Sequence, residues 1–118
     1  MIYFIQAGED GPIKIGFTNG PIKNRLAGLQ TGSIHKLKVL FVYKGDTVTE
    51  KQLHYFHRYH RLRGEWFNNV PEIHAEIASL KIKQTFESLF GPGYTKKVKK
   101  KMDYLVQEAW AECAAKGL

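Results

Sequence analysis

Two short apolar runs at the N-terminus, Ile2-Tyr3-Phe4-Ile5 and Ile13-Lys14-Ile15-Gly16-Phe17, constrain the fold of this 118-residue chain more than anything that follows. β-Branched and aromatic residues in runs this short favour strands over helices. Between them, Ala7-Gly8-Glu9-Asp10-Gly11-Pro12 supplies the glycine and proline of a loop, so a β-hairpin is expected to open the fold. Side chains alternate across a strand. Tyr3 and Ile5 therefore share one face of the first strand, and Lys14, Gly16 and Thr18 one face of the second. Spacing leaves the register open, but a common face would bring a phenol and an ammonium together on an otherwise apolar sheet.

The rest of the chain alternates helix and strand signals. Asn19-Gly20-Pro21 opens a helix with Pro21 at its first position, where a missing N–H costs nothing. Ile22, Leu26 and Leu29 recur at i, i+4 and i+7 as its buried stripe, and Thr31-Gly32 ends it. Leu37 to Tyr43 reads as a third strand, turned out by Gly45-Asp46. Thr47 or Thr49 is expected to cap a second helix that runs from Glu50 through about His60. Gly64-Glu65-Trp66-Phe67 is a break followed by an aromatic anchor. Pro71-Glu72 starts a third helix with apolar positions at Ile73, Ile77 and Leu80. Gly91-Pro92-Gly93 is the clearest linker signal. Beyond it, Val98, Met102, Leu105 and Ala109 step along a final helix. The order ββ-α-β-α defines a compact α+β domain over residues 1–70, with a helical C-terminal extension over residues 71–118.

Composition narrows the function. With 18 Lys and Arg against 11 Asp and Glu, the formal charge is +7, which suits a polyanionic partner or serves solubility alone. One cysteine, Cys113, excludes an internal disulfide and any cysteine-cluster zinc site, so a reducing cytoplasm is the expected location. No run approaches the roughly 20 apolar residues of a membrane span, so no membrane association is expected.

A few polar residues stand where they are least expected. Arg25 follows Ile22 by three and precedes Leu26 by one, so it borders the core stripe of its helix. There it needs a partner or a phosphate, or its aliphatic stem packs while its head reaches water. Glu50 shares or flanks a helix face with Leu53, His54 and His57. That face can hold a hard divalent cation, or Glu50 is the acid that a helix dipole favours in its first turn. His54, His57 and His60 at i, i+3 and i+6 spread over 120° of a helix and do not converge on zinc. A histidine beside Glu50 suits proton transfer or hydrogen-bond orientation instead, and His54 is the candidate. Trp66 and Phe67 read as core anchors in preference to base-stacking platforms. Lys96, Lys97, Lys99, Lys100 and Lys101 open the final helix, as a solvated face or as contacts for DNA phosphates.

Taken in order, these residues resemble the GIY-YIG nuclease superfamily. Met1-Ile2-Tyr3 keeps the isoleucine and tyrosine of the first motif without its leading glycine. Lys14-Ile15-Gly16 keeps the glycine of the second, as in a phage- and bacterium-associated branch with KIG in place of YIG. Arg25-Leu26, Leu29-Gln30-Thr31-Gly32, Glu50-x-x-Leu53-His54 and Arg63-Gly64-Glu65-Trp66-Phe67 extend the similarity over residues 1 to 70. The resemblance implies an α+β fold with a small three-stranded antiparallel sheet flanked by helices. It also implies hydrolysis of DNA phosphodiesters with a single divalent metal, Mg²⁺ or Mn²⁺. Glu50 would hold the metal, Arg25 would stabilise phosphorane-like charge, and Tyr3 would act as or assist the general base. Lys14, where the family usually has a second tyrosine, would bind or neutralise phosphate, and would be a base only with a lowered pKa. Asn68 and Asn69 both fit the family's late asparagine. The alternatives are a catalytically silent DNA-binding module on the same scaffold, and a protein-interaction or oligomerisation domain that dimerises through its C-terminal helix.

Overall fold

The computed structural model describes residues 1–91 and 93–115, in two compact units, the first Met1–Asn69 and the second beginning at Val70. The protein is α+β. Strands β1 (Ile2–Ala7) and β2 (Ile13–Phe17) form the expected hairpin, with β3 (Leu37–Tyr43) on the other side of β1. Two further strands, β4 (Arg61–Arg63) and β5 (Trp66–Phe67), extend the sheet beyond β2, so it has five antiparallel strands in the order β3-β1-β2-β5-β4 instead of three. Neither added strand is long enough to show an alternation in sequence. They are joined by a tight turn at Gly64, whose φ of 56° lies in the left-handed region that favours glycine.

The β1–β2 register pairs Tyr3 with Gly16 and Ile5 with Lys14, and β5 adds Trp66 opposite Lys14. Directly opposed residues lie on the same face, so Tyr3, Ile5, Lys14, Gly16 and Trp66 share one side of the sheet. Helix α1 (Ile22–Thr31) covers that side, packing Ile22, Leu26 and Leu29 on Tyr3, Ile5 and Leu37. The opposite side carries Ile2, Phe4, Ile13, Ile15 and Phe67, each with no exposed surface. Full burial of side chains this size contributes about 1.5–3 kcal/mol each. That is why Phe67 anchors a strand of only two residues.

Three helix boundaries differ from the sequence expectation. Pro21 precedes α1 instead of starting it, because its ψ of 137° is extended; its carbonyl accepts from the Asn24 and Arg25 N–H groups. Helix α2 (Thr47–Phe56) is capped by Asp46 and not by a threonine. The Asp46 carboxylate accepts from the Thr49 backbone N–H at 2.9 Å and from its hydroxyl at 3.0 Å. Two hydrogen bonds to its charged form lower the Asp46 pKa, the backbone bond contributing most. Helix α2 also stops at Phe56. The buried His57 leaves helical geometry, and a 3₁₀ turn over Arg58–His60 delivers Arg61 in an extended conformation to β4.

In the second unit, α3 (Pro71–Phe90) and α4 (Lys96–Ala115) pack against each other. Pro71 and Ala75 line a cleft with Trp110 and Cys113, so the two helices run antiparallel. Ile73, Ile77 and Leu80 of α3 and Met102 of α4 are buried. Gly91 closes α3 with φ of 76°, while Pro92 of the expected linker lies outside the described residues. Among the described residues, no helix is long and apolar enough to cross a membrane.

Replacing Asp46 with Ala is expected to lower the urea midpoint of unfolding, with Asp46→Asn staying close to the parent protein. Urea denaturation of the three proteins checks this.

Candidate functional site

The site begins at the closest approach in the sheet. Gly16 faces Tyr3, and a Cβ at Gly16 would overlap the Cζ and Oη atoms of the tyrosine. The bare backbone lets the ring lie flat against β2, with no surface left exposed. From α1, Arg25 donates its Nε–H to the Tyr3 hydroxyl at 3.1 Å. Arg25 is otherwise exposed: its position beside the core stripe brings the guanidinium to the phenol, not into the core. The hydrogen bond to Tyr3 raises the already high pKa of Arg25, and the nearby Glu65 carboxylate adds to it.

Lys14 lies two residues along β2. Its side chain is only 11 % exposed, and burial of an ammonium requires a partner. Glu65, in the β4–β5 turn, provides it with Oε1 at 3.0 Å from Nζ, while the Trp66 ring lies 5.5 Å from the same nitrogen. Ile15 of β2 then fixes two further groups through its backbone. Its N–H donates to the Glu65 carbonyl at 3.0 Å, and its carbonyl lies 2.7 Å from His54 Nε2. A carbonyl can only accept, so Nε2 is the donor in this contact. The His54 ring also packs on Phe67, with centroids 5.2 Å apart.

One turn earlier on α2, Glu50 completes the cluster. Ligand atoms of Glu50, His54 and Glu65 all lie within 4.8 Å of one another. Two carboxyl groups this close resist double ionisation. Burial, then the hydrogen bond to Glu65 and its charge, push the Glu50 pKa up. Burial alone would raise Glu65 as well, but the hydrogen bond and charge of Lys14, with the hydrogen bond from Glu50, hold it below the usual range. Of the pair, Glu50 is therefore the more readily protonated. Two carboxylate oxygens and one imidazole nitrogen are donors that fit a hard divalent cation.

The structure therefore gathers Tyr3 with Arg25, and Lys14 with Glu50 and His54, around Glu65. Glu65 shows in the sequence only as an acid between a turn glycine and two aromatic anchors, and the fold gives it the Lys14 ammonium as partner. His57 is buried and His60 ends the 3₁₀ turn, so the helical comb they would form with His54 does not exist. Asn68 and Asn69 are both exposed; the Asn69 amide donates to the Asp10 carbonyl at 3.3 Å. Lys96, Lys97, Lys99, Lys100 and Lys101 are exposed on α4 in the second unit.

An arginine, an ion-paired lysine and a carboxylate–imidazole cluster stand on a small basic α+β domain whose family match points to a nuclease-like or DNA-binding module. The chain belongs to the T5orf172 domain family, whose model matches residues 1–88, beyond β5 and into α3. That family is associated with phage-type nuclease scaffolds of the GIY-YIG-like kind. No curated protein and no solved structure matches the chain.

Two outcomes test the geometry. Gly16→Ala is expected to cost about 1–3 kcal/mol by overpacking, and to displace Arg25 along with Tyr3, which denaturation and NMR of the arginine Nε–H resolve. The Glu50 pKa is raised on folding, so ionised Glu50 opposes folding above its unfolded value of roughly 4.3, and the penalty vanishes below it. Metal-free Glu50→Gln should therefore melt higher than the parent protein at pH 7, and the gap should close below about pH 4.

Proposed function

We propose that this domain hydrolyses phosphodiester bonds in DNA with a divalent cation, Mg²⁺ or Mn²⁺. The observation that carries the reading is the meeting of Glu50, His54, Glu65 and Lys14 within one cluster, beside the Tyr3–Arg25 pair. Glu50 and Glu65 would hold the cation, with a ring nitrogen of His54 beside them. When bound, the cation would polarise the scissile phosphate and lower the pKa of a water.

The chain's own residues would do the rest. Arg25 is tied only through Nε in the contact with Tyr3, which leaves its terminal nitrogens to meet a phosphate. There they would stabilise the charge that develops in the transition state, usually the largest catalytic contribution. Tyr3, whose hydroxyl accepts the Arg25 Nε–H, holds the guanidinium in place and would assist proton transfer from there. His54, its ring fixed by the Ile15 carbonyl, would orient or deprotonate water through Nδ1. Lys14 acts as a positioned cation, because its ammonium is committed to Glu65. The lysines of α4 would add phosphate contacts that carry no sequence information.

The purified protein is expected to nick supercoiled plasmid with Mg²⁺ or Mn²⁺, and to lose about 100-fold or more in rate on Arg25→Ala or Glu50→Ala. Either cation should also raise the melting temperature of the parent protein but not that of Glu50→Ala. An inert parent protein with both metals ends the nuclease reading. The Lys14–Glu65 pair favours a second reading, in which a cation standing where the family has a tyrosine leaves a silent DNA-binding module. DNA binding with a steep salt slope and no nicking selects that reading.

A further inference from the structure

Between Glu50 and Glu65, both in the carboxylate cluster, the chain contains no acid at all. It contains Lys51, Arg58, Arg61 and Arg63, together with the rings of Tyr55, Phe56 and Tyr59. The chain leaves the site at the end of α2 and returns to it through β4 and the Glu65 turn. In between it displays large aromatic side chains to solvent: Tyr55 is 68 %, Phe56 58 % and Tyr59 82 % exposed. A fold that gains by burying such rings rarely leaves three of them outside within five residues.

Two of the rings are also held in place. The Arg58 guanidinium lies over both, with its carbon 4.0 Å from the Tyr55 centroid and 4.5 Å from that of Tyr59. Its terminal nitrogens donate to the Tyr55 carbonyl at 2.8 Å and to the Tyr59 hydroxyl at 3.3 Å. Arg58 is itself exposed, and it is engaged with rings and oxygens in a stretch without acids. Arg61 is fixed by its Nε–H to the Gly64 carbonyl at 2.6 Å. The result is a Tyr–Arg–Tyr platform, ordered before any ligand arrives and flanked by cations.

We infer that this platform binds unpaired nucleotides of a nucleic acid, stacking bases on Tyr55 and Tyr59 while Arg61 and Arg63 meet the backbone phosphates. Aromatic faces accept any base, and a neighbouring cationic strand tracks the backbone; this is the chemistry of single-strand recognition. A base within a duplex is already stacked on its neighbours, so the rings offer it nothing, and paired DNA would meet only the cations. Rings fixed in advance lose little side-chain freedom on binding. The inference rests on the nucleic-acid-binding part of the proposed function and not on cleavage. It makes the preferred substrate one with unpaired nucleotides next to the scissile phosphate.

Fluorescence anisotropy in EDTA, where no cleavage can occur, tests it with a labelled mixed-sequence single strand and the same sequence as a blunt duplex. Tyr55→Ala and Tyr59→Ala are each expected to weaken single-strand binding about tenfold, with duplex binding changed less than about twofold. Tyr55→Phe and Tyr59→Phe should bind as the parent protein does. The single-strand salt slope of the alanine variants should be unchanged, because their cations remain. Alanine variants that keep their circular-dichroism melt and bind the single strand undiminished overturn the inference. Equal losses on both DNA forms overturn it too, as does a parent protein that binds neither. A parent protein that binds the single strand through these tyrosines yet never nicks plasmid upholds the platform and refutes the nuclease.

Discussion

The contact of the Tyr3 ring with the bare backbone of Gly16 is the constraint from which the site follows. It requires the β1–β2 register in which residues 3 and 16 are opposed, and that register also places Lys14 two positions away on the same face. A slip of one residue would send both groups to the other side of the sheet, among Phe4, Ile15 and Phe67. With the ring seated, its hydroxyl reaches the edge of α1, where Arg25 meets it. Sheet, glycine and arginine thus form one mechanical unit, and none of the three is useful without the others.

A second balance is electrostatic. Lys14 is buried enough to need a counter-charge, and Glu65 supplies it. Burial, together with the hydrogen bond and charge of Glu65, then raises the Glu50 pKa, while Lys14 helps hold that of Glu65 down. The same strand residue, Ile15, holds the Glu65 backbone by its N–H and the His54 ring by its carbonyl, so β2 spaces these two groups.

Much of this was legible before the fold was known, though unevenly. The hairpin, α1 and β3 could be read because each carries a full period of apolar residues. Tyr3, Lys14, Arg25, Glu50 and His54 stood out as polar groups set against that periodicity. The short strands β4 and β5 could not be read, since three and two residues are too few to show a period; β5 owes its pairing to β2, and β4 to β5. The Asp46 cap was hidden by two threonines one and three positions later that fit the same signal equally well. The end of α2 at Phe56 was hidden by a helical spacing of histidines that the tertiary burial of His57 interrupts.

By itself, the sequence determined which groups this protein has to work with, and on which face of which element each would lie. Those follow from local stereochemistry: strand alternation, helical period, and the conformations open to glycine and proline. The register, the pairing of Lys14 with Glu65, and the approach of Glu50 to Glu65 were decided only in three dimensions. Each depends on distances between residues far apart in the chain, and on the removal of water from a charge, which no local pattern encodes.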